Sequence, residues 1–176
     1  MIDLYDEYTH VTLDRRRFLD RLKMLTGSAA AAAAVLPLIE ANPAHAGMTE
    51  PADARLLTET VAFPGPKGAV SGYLARPATM TGKLPAVIVI HENRGLNPHI
   101  QDVTRRAALE GFLALGVDFL SSQGGTPADE DQGREMIGKL PGEEARATAV
   151  AAADYLRSHP MSNGKVGAIG FCWGGG

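Results

Sequence analysis

Leu84-Pro85-Ala86-Val87-Ile88-Val89-Ile90 narrows the fold more than any other stretch. A strand with one wet face alternates apolar and polar residues; an unbroken β-branched run reads as a strand covered on both faces, as in a parallel sheet between helices. It runs into His91-Glu92-Asn93-Arg94-Gly95, a polar cluster at a strand's carboxyl end, where open α/β sheets bind ligands. Asn97-Pro98 offers an N-cap and a first-turn proline, and Ile100, Val103 and Ala107 recur at helical spacing until Gly111. Residues 112–120 supply the next strand and 121–127 a loop. Residues 128–158 read as helix in two pieces broken at Leu140-Pro141-Gly142, the second with Ala145, Ala149, Ala152 and Leu156 on one smooth face. His159-Pro160 ends that helix, Ser162-Asn163-Gly164 turns the chain, and 165–169 is strand again. Upstream, residues 47–55 are polar and read as a loose lead-in. Residues 56–63 and 69–76 flank the dense turn signal Pro64-Gly65-Pro66-Lys67-Gly68 and form a hairpin. Hairpin followed by βαβαβ predicts an α/β class: a mostly parallel, doubly wound sheet with right-handed crossovers.

The strand at 165–169 leads into Gly170-Phe171-Cys172-Trp173-Gly174-Gly175-Gly176, so the only cysteine stands just past a strand end in a G-x-C-x-G setting. That is the cysteine form of the nucleophile elbow, a sharp strand-to-helix turn that holds the nucleophile in a strained conformation. The small residues Gly170 and Gly174, two before and two after, keep the turn from clashing. A following helix would favour the thiolate at its N-terminus and aim backbone N–H groups at a developing oxyanion. In this motif the acid and base follow the nucleophile in the order Ser/Cys, Asp/Glu, His. The sequence is therefore expected to be the N-terminal portion of such a domain, truncated at the elbow.

Composition excludes several classes. With 45% hydrophobic and 21% charged residues the chain is not of disordered type, and a formal charge of -3 gives no footprint for nucleic acid. One cysteine rules out an internal disulfide framework, no grouping of His, Asp and Glu has metal-site spacing, and no cofactor motif is present. Asp14-Arg15-Arg16-Arg17-Phe18-Leu19 resembles a twin-arginine export signature. It precedes an alanine-rich run over 24–39 that is short of the roughly 20 apolar residues a spanning helix needs, and then Ala44-His45-Ala46, an A-x-A cleavage site. Residues 1–46 are thus expected to be a twin-arginine-type signal peptide cut after Ala46, and 47–176 a partial hydrolase domain. The expected partner is the twin-arginine export machinery, the expected location periplasmic or secreted, with no stable membrane anchor after cleavage; a membrane-anchoring N-terminal helix is the alternative.

Three stretches together resemble the dienelactone hydrolases, or carboxymethylenebutenolidases, of the α/β-hydrolase fold: Val89-Ile90-His91-Glu92-Asn93-Arg94-Gly95, Gln132-Gly133-Arg134-Glu135, and 162–167 running into the elbow. The likeness covers roughly residues 56–176. It implies that Cys172 attacks a lactone or ester carbonyl to form an acyl-enzyme, and that Glu92 contacts the resting thiol and takes part in activating it. It further implies that the backbone N–H groups of Trp173 and Asn93 form the oxyanion hole and that Arg134 holds a substrate carboxylate.

Other roles stay open for each residue. A lone cysteine is often a small buried hydrophobe, Glu92 could be a buried ion-pair partner of Arg94, and an arginine beside Glu135 on a helix is commonly a solvated surface group. Arg94 has no matched role. His91 and His99 precede the nucleophile, which makes them structural or supporting rather than the base. The leading expectation is a dienelactone-type hydrolase of lactones or small esters. A catalytically inactive fragment lacking the triad Asp and His, and an exported esterase of different substrate, are the alternatives.

Overall fold

The computed structural model describes Asp20, residues 49–80 and residues 82–176. The signal-peptide and cleavage-site expectations for 1–46 lie outside these residues. The elements described below all belong to the unit Gly47–Gly176.

Five strands form one sheet: β1 (Leu56–Gly65), β2 (Gly68–Pro77), β3 (Leu84–Ile90), β4 (Leu113–Val117) and β5 (Ser162–Gly170). Helix α1 (Pro98–Leu109) connects β3 to β4, and α2 (Glu130–Lys139) with α3 (Gly142–Ser158) connects β4 to β5. The strand order is β1-β2-β4-β3-β5. The hairpin pairs are antiparallel, as is β2 with β4, while β3 lies parallel to both β4 and β5. The chain therefore winds from β3 outward to β4, then crosses back over β3 to β5. The reversal of winding at β3 is the switch point where a doubly wound sheet opens a crevice at its carboxyl ends.

The unbroken apolar run of β3 is explained by what covers it. Leu84, Ala86 and Ile88 face a core built with Leu113, Leu115 and Val117 of β4 and Ala152 and Leu156 of α3. Val87 shares the opposite face with Ala108 of α1 and Ala114, and Val89 packs there with Ile100 and Val103. Each fully buried Leu, Ile or Val contributes roughly 1.5–3 kcal/mol. Helix α1 sits close on β4 because position 116 has no side chain: a Cβ there would lie 2.7 Å from Thr104 Oγ1 and 2.9 Å from Leu96 Cδ1. Asn97 caps α1, its side chain accepting from Ile100 N at 3.0 Å, with Pro98 in the first turn.

Several boundaries differ from expectation; both hairpin strands run further into the turn, to Gly65 and from Gly68. The strand expected over 112–120 ends at Val117, because the Asp118 carboxylate accepts from Leu120 N at 3.0 Å and bends the chain into a 3-10 turn, Ser121–Gln123. Helix α1 stops at Leu109, short of Gly111. The last strand begins at Ser162 rather than 165, absorbing the expected turn as an irregularity opposite Leu84 and Ala86, with Gly164 at φ 83°. The lead-in is not loose throughout: Thr49 is buried, its N–H donating to Asp102 Oδ1 at 3.1 Å and its carbonyl accepting from Arg105 Nε at 3.2 Å.

Candidate active site

Three loops meet at the carboxyl ends of β3, β4 and β5, and side chains tie them together. After β4, Asp118 is buried and accepts from Thr126 N and Thr126 Oγ1, both at 2.8 Å. Thr126 Oγ1 in turn accepts from Leu96 N at 2.8 Å, which pins the 118–127 loop to the loop that follows β3. Gly95 lets the two approach: its φ is +80°, and a Cβ there would come within 2.3 Å of Thr126 Oγ1. The first half of α2 closes on the same loop, since a Cβ at Gly133 would lie 3.1 Å from the Arg94 carbonyl.

The elbow is built on the β3–β5 pairing. Ile90 and Gly170 are partners in register, and Phe171 N donates to the Ile90 carbonyl at 3.3 Å. The backbone then reverses: Cys172 has φ 51°, the only positive value at a non-glycine among the described residues. Such a conformation costs about 1–3 kcal/mol and persists only where surroundings enforce it. Here two glycines do so. A Cβ at Gly170 would stand 1.7 Å from the Gly174 carbonyl oxygen, and one at Gly174 would stand 2.6 Å from Ile90 Cγ2 and 2.9 Å from the His91 carbonyl oxygen. The turn closes with Gly174 N donating to Phe171 O at 2.9 Å and continues as a short 3-10 segment, Cys172–Gly175. Cys172 itself is exposed, which removes the reading of it as a buried hydrophobe.

Cys172 and Trp173 thus stand just past the end of β5, and Glu92 and Asn93 just past the end of β3, the two strands being adjacent and parallel. Glu92 is partly exposed and faces His99, Nε2 to Oε1 3.7 Å. The alternative that paired it with Arg94 fails, because Arg94 turns to Glu130 at 3.1 Å. Asn93 is buried. Arg134 is not a solvated surface group: it is 8% exposed, with Nη1 3.3 Å from Asp131 Oδ1, while its neighbour Glu135 pairs with Lys139. Arg134 follows Gly133 on the turn of α2 that packs against the 91–95 loop, so it belongs to the same end of the sheet.

Sequence reasoning gave His91 only a supporting place, without a partner. It is fully buried, with Nδ1 2.7 Å from the Glu92 carbonyl and Nε2 accepting from Phe119 N at 3.3 Å. Its ring stacks on Trp173 (centroids 5.5 Å, 19° between planes), and Phe119 meets both rings edge-on. Burial pushes its pKa below the ordinary 6.5, against the pull of the Glu92 carbonyl and the Asp118 charge. The available signal was a histidine directly after a fully buried strand, followed by Trp173 on the neighbouring strand end. Among the described residues no group of three or more His, Cys, Asp and Glu is placed to hold a metal.

Residues 70–176 match the sequence profile of the Dienelactone hydrolase family. The chain is 50% identical over 107 residues to the "Putative hydrolase fragment YghX" of Escherichia coli strain K12, covering 60% of this chain and 92% of that one. It is 36% identical over 125 residues to the "Putative carboxymethylenebutenolidase" of Synechocystis sp. PCC 6803, covering 67% of this chain and 50% of that protein. Among solved structures it resembles the "Putative Dienelactone Hydrolase" of Klebsiella pneumoniae, with TM-score 0.61 at 29% identity, covering 68% of this chain and 51% of that one. Apart from the E. coli fragment, the chain spans about half the length of these relatives.

Proposed function

Since the chain belongs to the dienelactone hydrolase family, of α/β-hydrolase fold, we propose that it carries the acyl-transfer chemistry of a lactone or carboxylic ester hydrolase, with Cys172 as the nucleophile. In this reading Sγ adds to the carbonyl carbon of the substrate, forming a C–S bond and placing a negative charge on the former carbonyl oxygen. The backbone N–H groups of Trp173 and Asn93 hold that oxyanion. The Glu92 carboxylate receives the thiol proton and then gives it to the departing oxygen as the C–O bond breaks, leaving an acyl-enzyme and an alcohol, or a ring-opened chain from a lactone. Arg134 holds a carboxylate on the substrate by a bidentate contact.

The observation that carries this is the left-handed backbone at Cys172, enforced by two glycine positions with no space for a Cβ. A buried structural cysteine has no need of such a turn. The test is a stopped-flow burst with p-nitrophenyl acetate and intact mass analysis of the product. One acetyl per chain, located on Cys172 and lost in Cys172→Ala, is expected; an unmodified Cys172 refutes the proposal. Export through a twin-arginine-type signal in residues 1–46, to a periplasmic or secreted location, belongs to the same proposal and is read from the mass of the chain recovered outside the cytoplasm.

A further inference from the structure

No step of the proposed reaction uses His91, although it touches both strand ends that build the site. Its protonation pattern follows from its neighbours. Nε2 accepts from Phe119 N, and the partner of Nδ1 is a carbonyl oxygen, which can only accept. The ring is therefore the neutral tautomer with its hydrogen on Nδ1, donating to the Glu92 carbonyl at 2.7 Å.

That carbonyl shares a peptide unit with the N–H of Asn93. The described residues include no cis peptide, and across a planar trans unit the C=O and N–H point in opposite directions. Fixing the Glu92 oxygen therefore fixes the direction of the Asn93 N–H. The other face of the arrangement is Trp173, whose indole stacks on the same imidazole while Phe119 closes the third side. One buried ring is thus joined to the residues of both supposed oxyanion donors.

We propose that His91 is a positioning residue that aims the two oxyanion donors: its Nδ1–H orients the Glu92–Asn93 peptide, and its ring face sets Trp173. The inference rests on the acyl-transfer reading of Cys172 and deepens it. Without the Nδ1 bond the peptide plane can rock, and the Asn93 N–H no longer meets the oxyanion. Loss of one such donor typically slows acyl transfer about 10²–10³-fold, and a misdirected donor loses part of that.

The test compares two reactions of the same sulfur. Acylation by p-nitrophenyl acetate passes through an oxyanion; alkylation by iodoacetamide displaces iodide and does not. Two substitutions separate the ring nitrogens while leaving similar voids: His91→Asn keeps an amide donor near the Nδ1 position, and His91→Gln keeps a polar group near Nε2. The acylation-to-alkylation ratio should stay within a few-fold of the parent in H91N and fall about tenfold or more in H91Q. Equal ratios in the two variants, or parental ratios in both, overturn the proposal. A parent chain that is alkylated at Cys172 but never acylated refutes the acyl-transfer reading itself, a separate failure. In the unaltered chain, nitrogen-15 shifts of the His91 ring must show hydrogen on Nδ1; hydrogen on Nε2 overturns the proposal whether or not either variant folds.

Discussion

Replacing Thr126 by valine keeps the shape of the side chain and removes only a hydroxyl, yet that hydroxyl is the pin between two loops of the site. Two hydrogen bonds go with it: Oγ1 to the Asp118 carboxylate and Leu96 N to Oγ1, each 2.8 Å. A bond to a charged group contributes about 1.5–3 kcal/mol and a neutral one about 1. Both Thr126 and Leu96 are partly exposed, so water recovers a share. A net loss of about 2 kcal/mol follows for Thr126→Val, while the Thr126 N–H keeps its own bond to Asp118 Oδ2. Serine keeps the hydroxyl and loses the methyl that leans on Gly95, so T126S should lose about 1 kcal/mol or less. Urea unfolding followed by far-UV circular dichroism measures both; with an ordinary m-value, T126V shifts its midpoint down by roughly 1 M. A shift in T126V equivalent to less than about 0.5 kcal/mol, or one matched by T126S, would show that the loops are held by something other than this hydroxyl.

Gly170→Ala places a methyl 1.7 Å from a backbone oxygen within the elbow. That turn cannot close unchanged, and we expect loss of at least about 2 kcal/mol together with loss of Cys172 acylation; a variant acylated at the parental rate would contradict the geometry. For His91, the folded pKa lies below its unfolded value, so the unfolded chain binds more protons as pH falls through about 6.5. Stability should therefore decline on acidification from that point, and the decline should be weaker in H91N; identical profiles of urea midpoint against pH would refute it. Glu144 has the opposite sense. Lys67 at 2.7 Å and the Ser122 hydroxyl hold its carboxyl below the usual range, so its contribution is present at neutral pH and is lost as pH falls through the lowered value. Glu144→Gln should flatten that acidic limb, measured in the same titration.

The sequence was most readable where one physical cause dominates. The run 84–90 reads as a strand covered on both faces, and Asn97-Pro98 offers a helix start; the structure has both. The glycines around Cys172 announced a turn too tight for side chains. It was least readable where a single side chain overrides its neighbours. Phe119 and Leu120 extend the apolar character of β4, and nothing local shows that Asp118 will accept three hydrogen bonds from its own loop and bend the chain away. Arg134 looks like any helical arginine until Gly133 is seen to press α2 against the Arg94 backbone. The sequence offered Arg94 as an ion-pair partner for Glu92, and the fold gives Arg94 to Glu130 and leaves Glu92 facing His99. The two buried faces of Thr49 and Asp102 are far apart in sequence, so their bond left no periodic trace.

Strand order also sets a timetable for synthesis. The β1–β2 hairpin is local and its residues leave the ribosome before the rest of the sheet, yet among the described residues its only other neighbour in the sheet is β4, some forty residues behind. A two-stranded ribbon by itself is marginal in water. Until β4 emerges, the apolar side chains of Val70 and Leu74, which end up buried, have no core to enter. Newly made hairpin therefore waits with sticky surface on display, and that interval, rather than the finished molecule, is where a holdase chaperone would find its handle.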